Sequence, residues 1–100
     1  MMVKLLMSWD IKPDRETDYF EFVVREFVPG ITKLGLQPAD AWLTLYGDCS
    51  QVHTSGIAEN LQTMRRILET PEWDALHERL LEYVDNYDQR IIRAEAGLQL

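Results

Sequence analysis

His53 is the side chain in this sequence best suited to move a proton near neutral pH, and the residues around it suggest what it would act on. It lies in Ala41–Ala58, AWLTLYGDCSQVHTSGIA, where two alternating runs flank Gly47-Asp48-Cys49-Ser50 as a β-hairpin would. With those residues as the loop, Tyr46 pairs with Gln51, Thr44 with His53 and Trp42 with Ser55. One face of the hairpin then carries an imidazole, an indole, a phenol and several hydroxyl or amide groups. In a semi-apolar cavity, His53 would be a general base toward a phenol or an activated carbon, with Tyr46 or Thr44 as its hydrogen-bonding partner. Trp42 would stack on a planar substrate, and Gln51 and Ser55 would complete the polar wall. The same imidazole also reads as an interface histidine bonded to Thr44 or Tyr46.

The first strand adds to that face. Val3, Leu5, Met7, Trp9 and Ile11 alternate with Lys4, Leu6, Ser8 and Asp10, a period of two with one apolar side. Ser8 and Asp10 therefore join the ligand-binding candidates, Asp10 as an aid to His53 or as a solvated strand-end carboxylate. Lys4 and Arg93 would neutralise an anionic substrate or form surface pairs. One His and one Asp from separate strands do not make a metal site, and no paired Cys/His spacing occurs, so neither metal nor cofactor is expected. The lone Cys49 reads as an incidental loop thiol that suits a reducing cytoplasm.

The remaining elements must hold these strands. Pro13 is placed to open a helix, with Asp14, Glu16 and Asp18 near its positive end. Tyr19, Phe20, Val23, Val24, Phe27, Ile31 and Leu34 form its apolar stripe, and Phe22 falls off the stripe as a candidate subunit contact. Pro29-Gly30 predicts a kink or short break, and Gly35 a stop. Asn60 caps a short helix with Leu61, Met64, Ile67 and Leu68 inward. Thr70-Pro71-Glu72-Trp73 starts another, whose stripe runs through Trp73, Leu76, Leu80, Tyr83, Val84 and Tyr87. After a polar break at Asn86 to Asp88, Gln89 to Ala96 reads as the last strand and Gly97 to Leu100 as a tail. The order is βαββαβ with the second helix in two pieces. This is an α+β, ferredoxin-like arrangement: a four-stranded antiparallel sheet with helices on one face.

Composition limits the function classes. One hundred residues make a single domain, 1–100. A net charge of −7 and a pI near 4.7 argue against nucleic acid and anionic membranes as partners, Arg65-Arg66 being the one basic dipeptide. No apolar run approaches the roughly 20 residues of a membrane span, and MMVKLLMSWD reads as a strand and not a signal peptide.

The Ile11-Lys12-Pro13-Asp14 turn into an aromatic-rich helix, the short hairpin and the Thr70-Pro71-Glu72-Trp73 step resemble the dimeric α/β-barrel superfamily over about Val3 to Ala96. Its relatives include cofactor-free antibiotic-biosynthesis monooxygenases, EthD-like and muconolactone-isomerase-like proteins, stress-responsive A/B-barrel proteins and NIPSNAP proteins. The resemblance implies a homodimer packed through the sheet face, with a pocket inside the barrel or between each sheet and its helices. It implies a small apolar or aromatic ligand and, for an enzyme, a cofactor-independent monooxygenase or isomerase. The alternative is a non-catalytic dimerisation or ligand-sensing module. Some haem-degrading relatives use a helix-borne His with a nearby Asn and Trp. Here His77 follows Trp73 by one turn, but Ser8 and Asp10 stand where the Asn would be wanted, so haem is not expected.

Overall fold

A computed structural model describes residues 1–46 and 49–94, and for residues 42, 44–46, 49 and 50 the backbone alone. The alternation in β1 (Val3–Ile11) becomes a strict alternation of buried and half-buried residues. Its odd-numbered side chains form the floor of the core. β1 pairs antiparallel with β3 (Cys49–Ala58) and β4 (Val84–Arg93), and β2 (Gln37–Tyr46) lies outside β3, giving the order β2-β3-β1-β4 of the ferredoxin-like fold. The helices α1 (Glu16–Phe22), α2 (Val28–Leu34), α3 (Leu61–Leu68) and α4 (Pro71–Leu80) bury their apolar sides with Val3, Leu5, Met7, Trp9 and Ile11 in one core.

Local signals set several boundaries as expected. Asn60 Oδ1 accepts from the Thr63 N–H (2.7 Å) and Thr70 Oγ1 from the Trp73 N–H (3.1 Å), capping α3 and α4. Gly35 ends α2 at φ 103°, a conformation that an L side chain resists.

Elsewhere the backbone departs from the expected pattern. The first helix opens at Glu16 and not at Pro13, because Asp14 adopts φ 66° in the turn between. Between α1 and α2 the chain makes a π-helical turn, Val23–Phe27, whose closing Val28 N–H donates to the Val23 carbonyl. Pro29 has no N–H, and its ring would collide with the Arg25 carbonyl in an ideal α-helix. The wider turn relieves that conflict without breaking the helix. It also rephases the stripe. Phe22 is buried and stacks on Tyr83 at 5.3 Å, correcting its reading as a subunit contact, while Phe20 and Val24 are exposed.

The hairpin register differs by two residues from the expected one. Trp42 pairs with His53, Thr44 with Gln51 and Tyr46 with Cys49, so Cys49 and Ser50 belong to β3 and not to the loop. A two-residue slip leaves every side chain on its original face, which is why alternation does not detect it. At the far end α4 stops at Leu80, and Val84 and Tyr87 belong to β4, not to the helical stripe. β4 begins before the expected break because a bulge opposite Ser8–Asp10 absorbs one extra residue, with Asn86 at φ 56°. Of the expected strand end at Ala96 and tail at Gly97 to Leu100, residues 95–100 lie outside the described residues.

Candidate functional site

The sheet has two unlike surfaces, and a half-open cavity lies on the helix side. About 420 Å³ opens between the sheet and the α1–α2 segment, toward the β2 edge. Met7, Trp9 and Val52 contribute from the sheet, Tyr19, Phe27 and Ile31 from the helices, and the exposed Phe20 and Val28 stand at its rim. Its size falls in the range of small-molecule pockets.

The mouth is shaped by a second bulge. Between Pro38 and Ala41, β2 carries one residue more than β3. Asp40 anchors it: its N–H donates to Ser55 Oγ (3.2 Å), Ser55 Oγ donates to Asp40 Oδ2 (3.2 Å), and Thr54 Oγ1 donates to the Asp40 carbonyl (2.7 Å). Lys4 Nζ reaches Asp40 Oδ2 at 3.2 Å. Pro38, Ala39 and Ala41 line the cavity at this edge with little bulk.

Trp9 is central to the cavity wall. Its Nε1–H donates to Tyr19 Oη at 2.9 Å, with both residues almost fully buried. Its indole meets Phe27 edge-on (6.1 Å) and stacks on Tyr87 (5.8 Å, 8° between planes). The β4 bulge supplies that Tyr87 ring, because it places Asn86 and Tyr87 together opposite Trp9. Burial raises the Tyr19 hydroxyl to about 12, the bond from Trp9 opposing the shift, so at neutral pH it keeps its proton. Reading the sequence by polarity placed Trp9 and Tyr19 among the core residues. The usable signal was that a buried indole N–H and a buried phenol each need a partner.

The residues singled out from sequence are on the other surface. Ser8, His53 and Trp42 form one cross-strand row, and Asp10, Gln51 and Thr44 the next. The side chains of Trp42, Thr44 and Tyr46 lie outside the described residues. His53, half-buried, is hydrogen-bonded through Nε2 to Gln51 Oε1 (3.0 Å), and Asp10 accepts from Asn86 Nδ2 (2.8 Å). A cleft of about 280 Å³ runs past Ser8 and His53 to Leu6, Asp88 and Arg90. Ser55, expected to face a ligand there, is buried with its hydroxyl engaged by Asp40. The sheet backbone separates His53 from the helix-side cavity.

His77 sits in a third environment. It stacks on Trp73 (5.8 Å) and tilts against Tyr87 (4.5 Å), with Nε2 buried and unpartnered among the described residues. Burial lowers its pKa, while Asp74 and Glu78 oppose that shift. Among the described residues no group of three His, Cys, Asp or Glu could hold a metal, and no helix is long and apolar enough to cross a membrane.

No family model and no curated protein matches this chain. Solved structures do. A NIPSNAP family protein from Agrobacterium tumefaciens superposes with a TM-score of 0.69 at 19% identity, covering 92% of this chain and 91% of its own. A NIPSNAP-like domain protein from Burkholderia xenovorans gives 0.71 at 16% identity over 99% and 90%. SnoaB, a cofactor-independent oxygenase from Streptomyces nogalater, gives 0.69 at 16% identity over 97% and 96%. At these identities the likeness establishes the fold alone, which is the ferredoxin-like fold of the NIPSNAP and monooxygenase structures.

Proposed function

We propose that this chain binds a small, mainly apolar, ring-bearing molecule in the helix-side cavity, and that two copies pack through their open sheet faces into a barrel. The observation that carries the binding reading is the aromatic-lined space of about 420 Å³ under Trp9 and Tyr19. The open face supports the pairing: Leu6, Ile57 and Ile92 share it with polar residues, a mixture suited to an interface. A cofactor-independent oxygenase is the enzyme class that accompanies this fold in a structural neighbour.

A second reading, a non-catalytic ligand-sensing or dimerisation module, is favoured by the cavity's own chemistry. Among the described residues, Tyr19 and Asp40 are the only ionisable residues lining it; Tyr19 retains its proton, and Asp40 is tied to Lys4 and Ser55. A catalytic role for His53 therefore requires the substrate to lie against the open face, between paired sheets.

Thermal shift with planar aromatics on wild type, Val28→Trp and His53→Ala tests the reading. Val28 is rim-exposed, so the tryptophan should block the mouth without disturbing the core. The expected result is stabilisation of wild type and His53→Ala, and none of Val28→Trp. Stabilisation lost only in His53→Ala would move the site to the open face. Solution mass tests the pairing, and a monomer at micromolar concentration would overturn it.

A further inference from the structure

We infer that Tyr19 is the specificity-determining residue of the helix-side cavity: its hydroxyl proton is donated to a carbonyl or ether oxygen of a neutral, ring-bearing ligand. This rests on the reading that the cavity is a binding site.

The inference follows from which polar groups of the lining are already engaged. Thr54 Oγ1 donates to the Asp40 carbonyl and Ser55 Oγ to the Asp40 carboxylate, so both hydroxyl protons are committed to the β2 bulge. The Trp9 N–H is committed to Tyr19 Oη. Tyr19 receives that bond with one lone pair and retains its own proton, for which no acceptor occurs among the described residues. A hydroxyl proton without an acceptor in the lining is available to a ligand oxygen. The indole N–H also polarises the phenol it bonds to, which strengthens the phenol as a donor.

Charge narrows the ligand further. Among the described residues no cation lines the cavity, and the Asp40 carboxylate is already paired with Lys4 at 3.2 Å. A carboxylate or phosphate would enter without a counter-charge in the lining. Because burial keeps Tyr19 protonated well above neutral pH, it acts as a donor and not as a base. The cavity therefore selects a neutral ring system with one acceptor.

Calorimetric titration with three probes of similar size tests this: α-tetralone, which carries the ketone; tetralin, which lacks it; and naphthoate, which is anionic. Wild type should bind α-tetralone about tenfold more tightly than tetralin, the worth of one buried neutral hydrogen bond, and should bind naphthoate most weakly. In Tyr19→Phe the ketone preference should disappear while tetralin affinity is kept, which also shows that the variant is folded. Undiminished preference for the ketone in Tyr19→Phe, or tighter binding of naphthoate, would overturn the inference and leave the cavity reading intact. Failure of wild type to bind either neutral probe would overturn both. If Tyr19→Phe does not fold, the infrared carbonyl band of α-tetralone bound to wild type decides instead. It should lie below the band in an apolar solvent, and coincidence of the two would overturn the inference.

Discussion

The Trp9–Tyr19 bond should show up as a coupling energy, and a double-mutant cycle isolates it. Trp9→Phe alone is a poor probe, because it also removes indole contact with Phe27 and Tyr87. Shrinking a side chain that is 1% exposed costs about 2 to 4 kcal/mol from lost burial, residual space and the lost donor together. Tyr19→Phe keeps the ring and removes the acceptor of the buried Trp9 N–H, at about 1 to 3 kcal/mol. The double variant suffers both packing losses, but each single variant has already broken the one bond. The sum of the singles should therefore exceed the double by about 1 kcal/mol, as for a buried neutral pair at 2.9 Å. Urea unfolding of the four proteins, all at one protein concentration so that any association contributes equally, measures it. Additivity within about 0.3 kcal/mol would refute the bond as an energetic link, and with it the claim that Trp9 holds the Tyr19 hydroxyl in place.

Two further predictions concern the frame around the cavity. His77 has a folded pKa below its unfolded value, so the unfolded chain takes up the proton first as pH falls. Stability should be complete above about pH 6.5 and decline as pH drops from there toward the lowered folded value, and His77→Phe, which keeps the ring against Trp73 and Tyr87, should remove that part of the slope in urea titrations at stepped pH. Gly56→Ala should destabilise by about 1 to 3 kcal/mol, because a Cβ there would lie 2.6 Å from Cγ of the fully buried Leu36, and adding Leu36→Val should recover part of the loss in the same assay.

How much of this was legible in the sequence depends on whether a feature is local. The alternation of Val3 to Ile11, the caps at Asn60 and Thr70 and the Gly35 stop are each written within a few residues, and each is present as read. The errors arise where one inserted residue changes the phase. The π-helical turn before Pro29 exchanges the environments of Phe20 and Phe22, and the β4 bulge moves Tyr87 from an expected helical stripe onto the Trp9 indole. A pattern counted at fixed period cannot register such an insertion. The hairpin slip escaped notice for the opposite reason, since a shift of two preserves every face. The cavity was hidden more deeply. Mixed polarity marks the His53 face, whereas the helix-side cavity is lined by residues indistinguishable in type from core. A cavity is missing volume, produced here by the small residues and the bulge at Pro38–Ala41, and composition along a strand does not show it.

The separation of the two surfaces bears directly on the choice between catalysis and sensing. Cofactor-independent oxygenation or isomerisation begins by removing a proton from the substrate, which needs a base within hydrogen-bond reach. On the helix side, Tyr19 is a donor held in its neutral form and Asp40 is bound into the bulge. On the open side His53 is bonded to Gln51 and lines a cleft of about 280 Å³. The proposed binding cavity and the His53 imidazole thus lie on opposite sides of β1 and β3. A ligand held under Trp9 would be recognised without being deprotonated, which is the behaviour of a sensor or carrier. Catalysis would instead need the second sheet to close over Ser8 and His53, so a pH–rate profile with a histidine limb, lost in His53→Ala and in any variant that prevents pairing, is the signature that would separate the two.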